Sequence, residues 1–364
     1  MSGKPYGVNC IGPDPACGAQ DAAELMAMRR RMMSEMSQTR FQGKAETFAW
    51  NRKLNAGHDG LIRAAVMLAE KELREQGAGA PPVAYAFAVV GSAGREEMTL
   101  GSDQDHAIVY RPPEPDLEAE AERYFRIFAE KIGFFLKSAG YPPCPGNVLC
   151  TNPQWRKPAD RWKEMLREWM ADPTFDHIRY LLMIADMRCM CGDDRLVEEL
   201  RAAYMSELRS KPGLFKGMLE NTLRRKAALG PFGNLLLERY GENAGAFDVK
   251  YGLYLPIVNA ARLLSLLHAV SESSTLERLR GLRGIEALPA PVLDDWEESF
   301  AIALEFRAKT DCRFEEGCYA SGSMLMPNQL ASDAKRRLKR ALNIAKQLQK
   351  TVIRKTEQAE IAGW

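Results

Sequence analysis

VAYAFAVVGSAGREEMTLGSDQDHAIVY, residues 83–110, decides the reading of this chain. An apolar run leads into Gly91-Ser92, a polar stretch of about ten residues follows, and Asp103 and Asp105 open a second apolar run. Residues two apart in an extended strand point to the same face. The spacing therefore predicts two strands joined by a loop, with the carboxylates of Asp103 and Asp105 side by side at the start of the second. Adjacent carboxylates repel unless a cation lies between them. Mg²⁺ takes one or two carboxylates and leaves its other positions to water and substrate phosphates. Gly91 lets a phosphate approach the backbone, whose N–H groups can receive it. Ser92 can add a hydroxyl donor, and Arg95 a guanidinium that grips two phosphate oxygens; an ion pair of Arg95 with Glu96 or Glu97 is the alternative. Ser102 serves either the nucleotide loop or a local turn. Gln104 points to the other face and reads as structural, and His106 also alternates away from the carboxylates.

This pattern resembles the nucleotidyltransferase superfamily of polymerase β type, marked by an apolar residue, Gly-Gly or Gly-Ser, a spacer and Asp-x-Asp. The fuller form GSAGREEMTLGSDQD (91–105) is similar to the PII-protein uridylyltransferases. It is closer still to a bacterial nucleotidyltransferase family often fused to CBS or cyclic-nucleotide-binding domains. YPPCPGNVLCTNPQW (141–155), DMRCMCGDDRL (186–196) and DVKYGLYLPIVNAARLLSL (248–266) resemble the same family in the expected order, so the resemblance spans about residues 50 to 350.

The resemblance implies an α+β fold, with a small mixed-sheet nucleotidyltransferase domain followed by an all-α domain. It implies Mg²⁺, or Mn²⁺ in its place, on Asp103 and Asp105, and in-line attack of an acceptor hydroxyl on the α-phosphorus of a nucleoside triphosphate. The product would carry AMP or UMP on a protein or small-molecule acceptor, in a signalling role. Lys250 in DVKYG resembles a lysine element near the nucleotide in the PII uridylyltransferases, and Arg262 is a further cationic candidate. Glu97 resembles the glutamate of a G-R-x-E pattern and is read as orienting Arg95 or its loop. Many members of the superfamily use a third carboxylate from a later strand. PGNVLC (145–150), the expected short strand, has no acid, which leaves Asp186, Asp193 or none. The structural alternative is an Asp186–Arg188 pair with Asp193 capping a helix. That gap keeps open a nucleotide-binding regulator with little turnover, and a helical interaction scaffold is the third reading.

With 46% hydrophobic residues among 364, the chain can bury a core large enough for two or three domains. Strand signals fade near residue 155, which suggests an N-terminal arm and helix (1–55), a nucleotidyltransferase domain (56–155) and a helical substrate-binding or regulatory domain (156–364). Lys and Arg total 50 against 48 Asp and Glu, which argues against a nucleic-acid partner although a local basic pocket stays open. No signal peptide or membrane-spanning run is evident, so no membrane partner is expected. The eight cysteines lack a C-x-x-C pair and read as reduced, unligated thiols of a cytoplasmic protein. DAAELMAMRRRMMSEMSQTR (21–40), capped by Asp21, reads as an amphipathic helix packed on the body or on a second copy, from which a homodimer is expected. Trp155, Trp162 and Trp169 fall on one helical face and read as core between domains.

Overall fold

The computed structural model describes residues 18–38 and 43–362, the side chains of Ile361 and Ala362 apart; the N-terminal arm through Cys17 lies outside the described residues. Helix α1 (Ala22–Ser37) starts where the sequence places it, with the Asp21 carboxylate accepting the N–H groups of Ala23 and Glu24. Its buried Leu25, Arg29 and Met36 face its own chain. The Arg29 guanidinium sits 3.7 Å over the Tyr141 ring and donates to Leu100 O at 2.7 Å. The helix is thus packed on the body of its own chain, the first of the two expected arrangements. Helix α2 (Lys44–Glu75) crosses the expected boundary at residue 55, because Phe48, Trp50 and Leu54 extend its buried stripe.

Strands β1 (Tyr85–Val89), β2 (His106–Tyr110), β3 (Arg156–Pro158) and β4 (Arg188–Gly192) form one mixed sheet in the order β3-β2-β1-β4. β1 is antiparallel to β2 and β4, and β3 runs parallel to β2. A short turn, α3 (Gly91–Gly94), follows β1, and α4 (Glu118–Ser138) follows β2. Strand alternation divides the core. Tyr85, Phe87, Val89 and Ile108 pack with α2 and α4, whereas Ala86, Ala88, Ala107 and Val109 face a second cluster. That cluster holds Trp155, Trp162 and Trp169 and draws on α5 (Ala159–Ala171), α6 (Phe175–Ile184) and α7 (Asp194–Arg209) together with later helices. Trp162 Nε1 donates to Ile108 O at 3.1 Å, so the tryptophans build core. The remaining helices are α8 (Leu214–Leu223), α9 (Leu255–Leu267), α10 (Thr275–Gly284), α11 (Ala290–Ala308) and α12 (Ser332–Ala362). Among the described residues no helix is long and apolar enough to cross a membrane.

The architecture is α+β, with a small mixed sheet toward the N-terminus and helices beyond it. Three details differ from the sequence reading. PGNVLC is a turn rather than a strand, although Val148 O accepts the His106 N–H at 3.1 Å beside the start of β2. RCMCG, in the region expected to be helical, is β4, so the sheet draws on residues beyond the expected boundary at 155. Short apolar runs without β-branched residues do not distinguish strand from helix, and here pairing with β1 decides. Finally, the helical half contains small strands: β5 (Phe247–Asp248) with β8 (Met324–Leu325), and the hairpin of β6 (Cys312–Glu315) and β7 (Cys318–Ser321).

Candidate active site

The antiparallel register puts the end of β1, the start of β2 and the start of β4 at one edge of the sheet, since Val89 pairs with both His106 and Arg188. Every residue of the expected motif lies at or beside that edge. The Val90 N–H continues the ladder to Asp105 O at 3.0 Å, after which Gly91 turns the chain with φ +59°. Gly94 lies directly against the backbone carbonyl of Asp186 and leaves no room for a side chain. Beyond it, Asn55 of α2 fixes the polar loop by accepting the Met98 N–H at 2.8 Å.

Asp103 and Asp105 emerge side by side, each half-buried, and the Cys144 thiol joins them: one donor atom from each of the three lies within 4.8 Å of the others. Asp105 also leans on the glycine turn, and a Cβ at Gly91 would stand 2.5 Å from its Oδ2. Burial first, and then the Asp103 charge, push the Asp105 carboxyl up to about 7, more than a bond from the Cys144 thiol and the charges of Arg95 and Lys250 pull it down. A divalent cation between the two carboxylates would remove that repulsion, and hard oxygen donors in a half-open setting suit it. Gly91→Ala is accordingly expected to displace the Asp105 carboxylate and weaken divalent-cation binding at least tenfold, as read by calorimetric titration. The strain of a left-handed alanine costs only about 1–3 kcal/mol of stability.

Lys250 opens the wide helical turn Lys250–Tyr254, and its charge acts on Asp105. Ser92 is half-buried in the turn after Gly91. Two expected nucleotide contacts are engaged elsewhere. Arg95 is buried, and its three guanidinium nitrogens donate to Glu97 (2.9 Å), Asp186 (2.6 Å) and the Tyr254 hydroxyl (3.1 Å). It braces the loop instead of presenting a free fork to phosphate. Ser102 Oγ accepts the Thr99 N–H at 2.8 Å, which is the local-turn alternative.

Neither candidate third carboxylate joins the pair. Asp193 caps α7 through the Arg195 N–H. Asp186 is fully buried and receives Arg95, Arg262 and Arg278, which together hold its carboxyl far below the usual range against the opposing effect of burial. The expected Asp186–Arg188 pair does not form, because Arg188 makes a two-pronged bond to Asp59 at 2.8 Å on each oxygen. Arg262 is consumed by Asp186 and is not a free cation for substrate. Glu97 ties Arg95, the Tyr254 hydroxyl and the Thr275 N–H together, as a loop-orienting residue should. His106 accepts the Cys150 N–H on Nδ1 and bonds Gln104 through Nε2, and burial lowers its pKa to about 4, so it is a neutral structural group. A cavity of about 270 Å³, lined by Asn51, Arg95, Glu96 and Phe300 among others, lies on the α2 side of the loop and does not include either aspartate.

The sequence reading missed Cys144 and Tyr254. Two prolines before Cys144 and Pro145-Gly146 after it were the available signal, because such a loop holds its central residue in one place.

Comparison with known families agrees with this geometry. Residues 31–176 match the description "Putative nucleotidyltransferase DUF294", and residues 212–356 match "Putative nucleotidyltransferase substrate binding domain". Asp186 and the strand β4 that follows it fall between the two matched segments. No curated protein matches the chain. With the two matches in order and the glycine turn set against paired aspartates, the chain belongs to the putative nucleotidyltransferase family, an enzyme family that acts on a nucleotide substrate.

Proposed function

We propose that this protein transfers a nucleoside monophosphate, AMP or UMP, from its triphosphate to a hydroxyl of a protein or small-molecule acceptor. The observation that carries the reading is the convergence of Asp103 and Asp105 on one small volume beside the Gly91 turn. The family implies a divalent metal, and Asp103 and Asp105 would hold it; when bound, it would offset the charge on the polyphosphate as the bond to the departing pyrophosphate breaks. Gly91 and Ser92 offer the close backbone approach and the hydroxyl that a phosphate needs. Lys250 adds a compact positive charge from the helical half, so the polyphosphate would touch both halves of the chain. Arg95 acts indirectly, by holding the loop through Glu97 and Tyr254. Catalysis of this kind rests on positioning and electrostatics. The cytoplasmic setting and signalling role are part of the proposal; the first rests on the unpaired cysteines and the second on the family resemblance.

A nucleotide-binding regulator with little turnover is the second reading, favoured by one observation: Asp186 is caged by arginines and Asp193 caps a helix, so neither serves as a base for the acceptor hydroxyl. Incubation with each labelled triphosphate, Mg²⁺ or Mn²⁺ and cell lysate separates the two. Label transferred to an acceptor, with pyrophosphate released, is the expected result. Triphosphate binding without transfer to any lysate component would establish the regulator instead.

A further inference from the structure

We propose that Cys144 is the third donor of the cation site and shifts its preference from Mg²⁺ toward borderline ions such as Mn²⁺, Co²⁺ and Zn²⁺. This rests on the reading of Asp103 and Asp105 as cation ligands. The geometry is specific. The thiol shares the volume onto which both carboxylates converge, within 4.8 Å donor to donor, and all three groups are half-buried, so an ion can reach them.

The loop that carries Cys144 is fastened by the same strand start that carries the aspartates. Gln104, between them, donates from its backbone to Pro142 O at 3.0 Å and from its side chain to Tyr141 O at 2.8 Å. The far side is held by the His106 N–H on Val148 O at 3.1 Å. Inside the loop, Asn147 adopts a left-handed conformation (φ +54°) and its N–H closes a turn onto Cys144 O at 3.0 Å. Tyr141 is pinned in turn by His58 Nδ1 at 2.8 Å and by Arg29 over its ring. A loop held from so many directions keeps the Cys144 sulfur beside the acid pair.

Without an ion, the thiol S–H donates to the Asp105 carboxylate. Coordination to a metal as thiolate releases that proton to solvent. Two carboxylates alone suit a hard ion that keeps its waters, whereas a sulfur donor adds affinity for softer ions. Cys144 thereby becomes a specificity-determining residue for the metal, and with it for the conditions under which the nucleotide is held.

The test uses the full chain. Titration of the wild-type protein with Co²⁺ should raise a near-ultraviolet thiolate-to-cobalt charge-transfer band, and Cys144→Ser should abolish it. The Co²⁺ to Mg²⁺ affinity ratio should fall by about tenfold or more in that variant. Cys144→Asp, which offers oxygen instead of sulfur, should restore preference for Mg²⁺ and keeps the proposal testable if the serine variant folds poorly. An unchanged band and ratio in Cys144→Ser would overturn the role of Cys144. Wild-type Co²⁺ and Mg²⁺ binding in Asp103→Asn and Asp105→Asn would sink the underlying reading of the aspartates, which is a different failure.

Discussion

Asp103→Asn and Asp105→Asn should each lower nucleotidyl transfer about a thousandfold, with the metal-free protein as stable as wild type or slightly more so. A metal clamp is worth several kcal/mol in the transition state, and about 4 kcal/mol corresponds to that factor. The stability arm follows from sign. The Asp105 carboxyl stands at about 7 in the folded chain, above its ordinary value, because of burial and the neighbouring Asp103. A carboxyl raised on folding disfavours the folded state wherever it is ionised in the unfolded chain, so at neutral pH its charge opposes folding. Removing that charge relieves repulsion. Loss of transfer together with a metal-free unfolding temperature that holds or rises therefore marks a functional pair. A large fall in that temperature would show the aspartates to be structural.

Asp186→Asn should have the largest effect on stability, a loss of about 3–5 kcal/mol by urea denaturation, the scale expected when one partner of a buried ion pair is removed. Asp186 is fully buried and bonded by Arg95, Arg262 and Arg278. The same pocket holds Arg307 over the Tyr254 ring, with Glu97 as its other carboxylate, so the guanidiniums already outnumber the acids. Loss of Asp186 leaves that surplus without its centre, and burial, joined by the charges of Arg262 and Arg95, already lowers the Arg278 pKa to about 10 against the pull of Asp186. The pH dependence has a definite sign. Because the carboxyl is depressed in the folded chain, its stabilisation is present above the ordinary carboxylate range and is lost as pH falls through the depressed value. The variant should lack that acid-side loss. An effect under about 1 kcal/mol would mean the cage contributes little beyond its own desolvation.

The same residues explain what the sequence could reveal. Asp103, Asp105 and Gly91 were legible because strand periodicity and glycine geometry are local: two residues apart means one face, and a sharp turn after a strand needs a flexible residue. Helix α1 was legible because Asp21 is its own signal. Arg95 was legible in part: its pair with Glu97 is the alternative the sequence offered, but its partners Asp186 and Tyr254 are 91 and 159 residues away, and no local pattern announces them. β4 was lost for a related reason, since RCMCG has no alternation and becomes a strand only when β1 offers its edge. Cys144 was visible but dismissed, because a search for paired cysteines does not consider a thiol that completes a carboxylate pair from another loop.

The most direct test of the central claim is a crystal structure of the full chain with a non-hydrolysable nucleoside triphosphate and Mn²⁺. The account predicts anomalous density between the Asp103 and Asp105 carboxylates, with the polyphosphate lying on Gly91-Ser92 and Lys250 beside it. Manganese bound elsewhere, or phosphates seated away from the glycine turn while the two aspartates hold nothing, would contradict it.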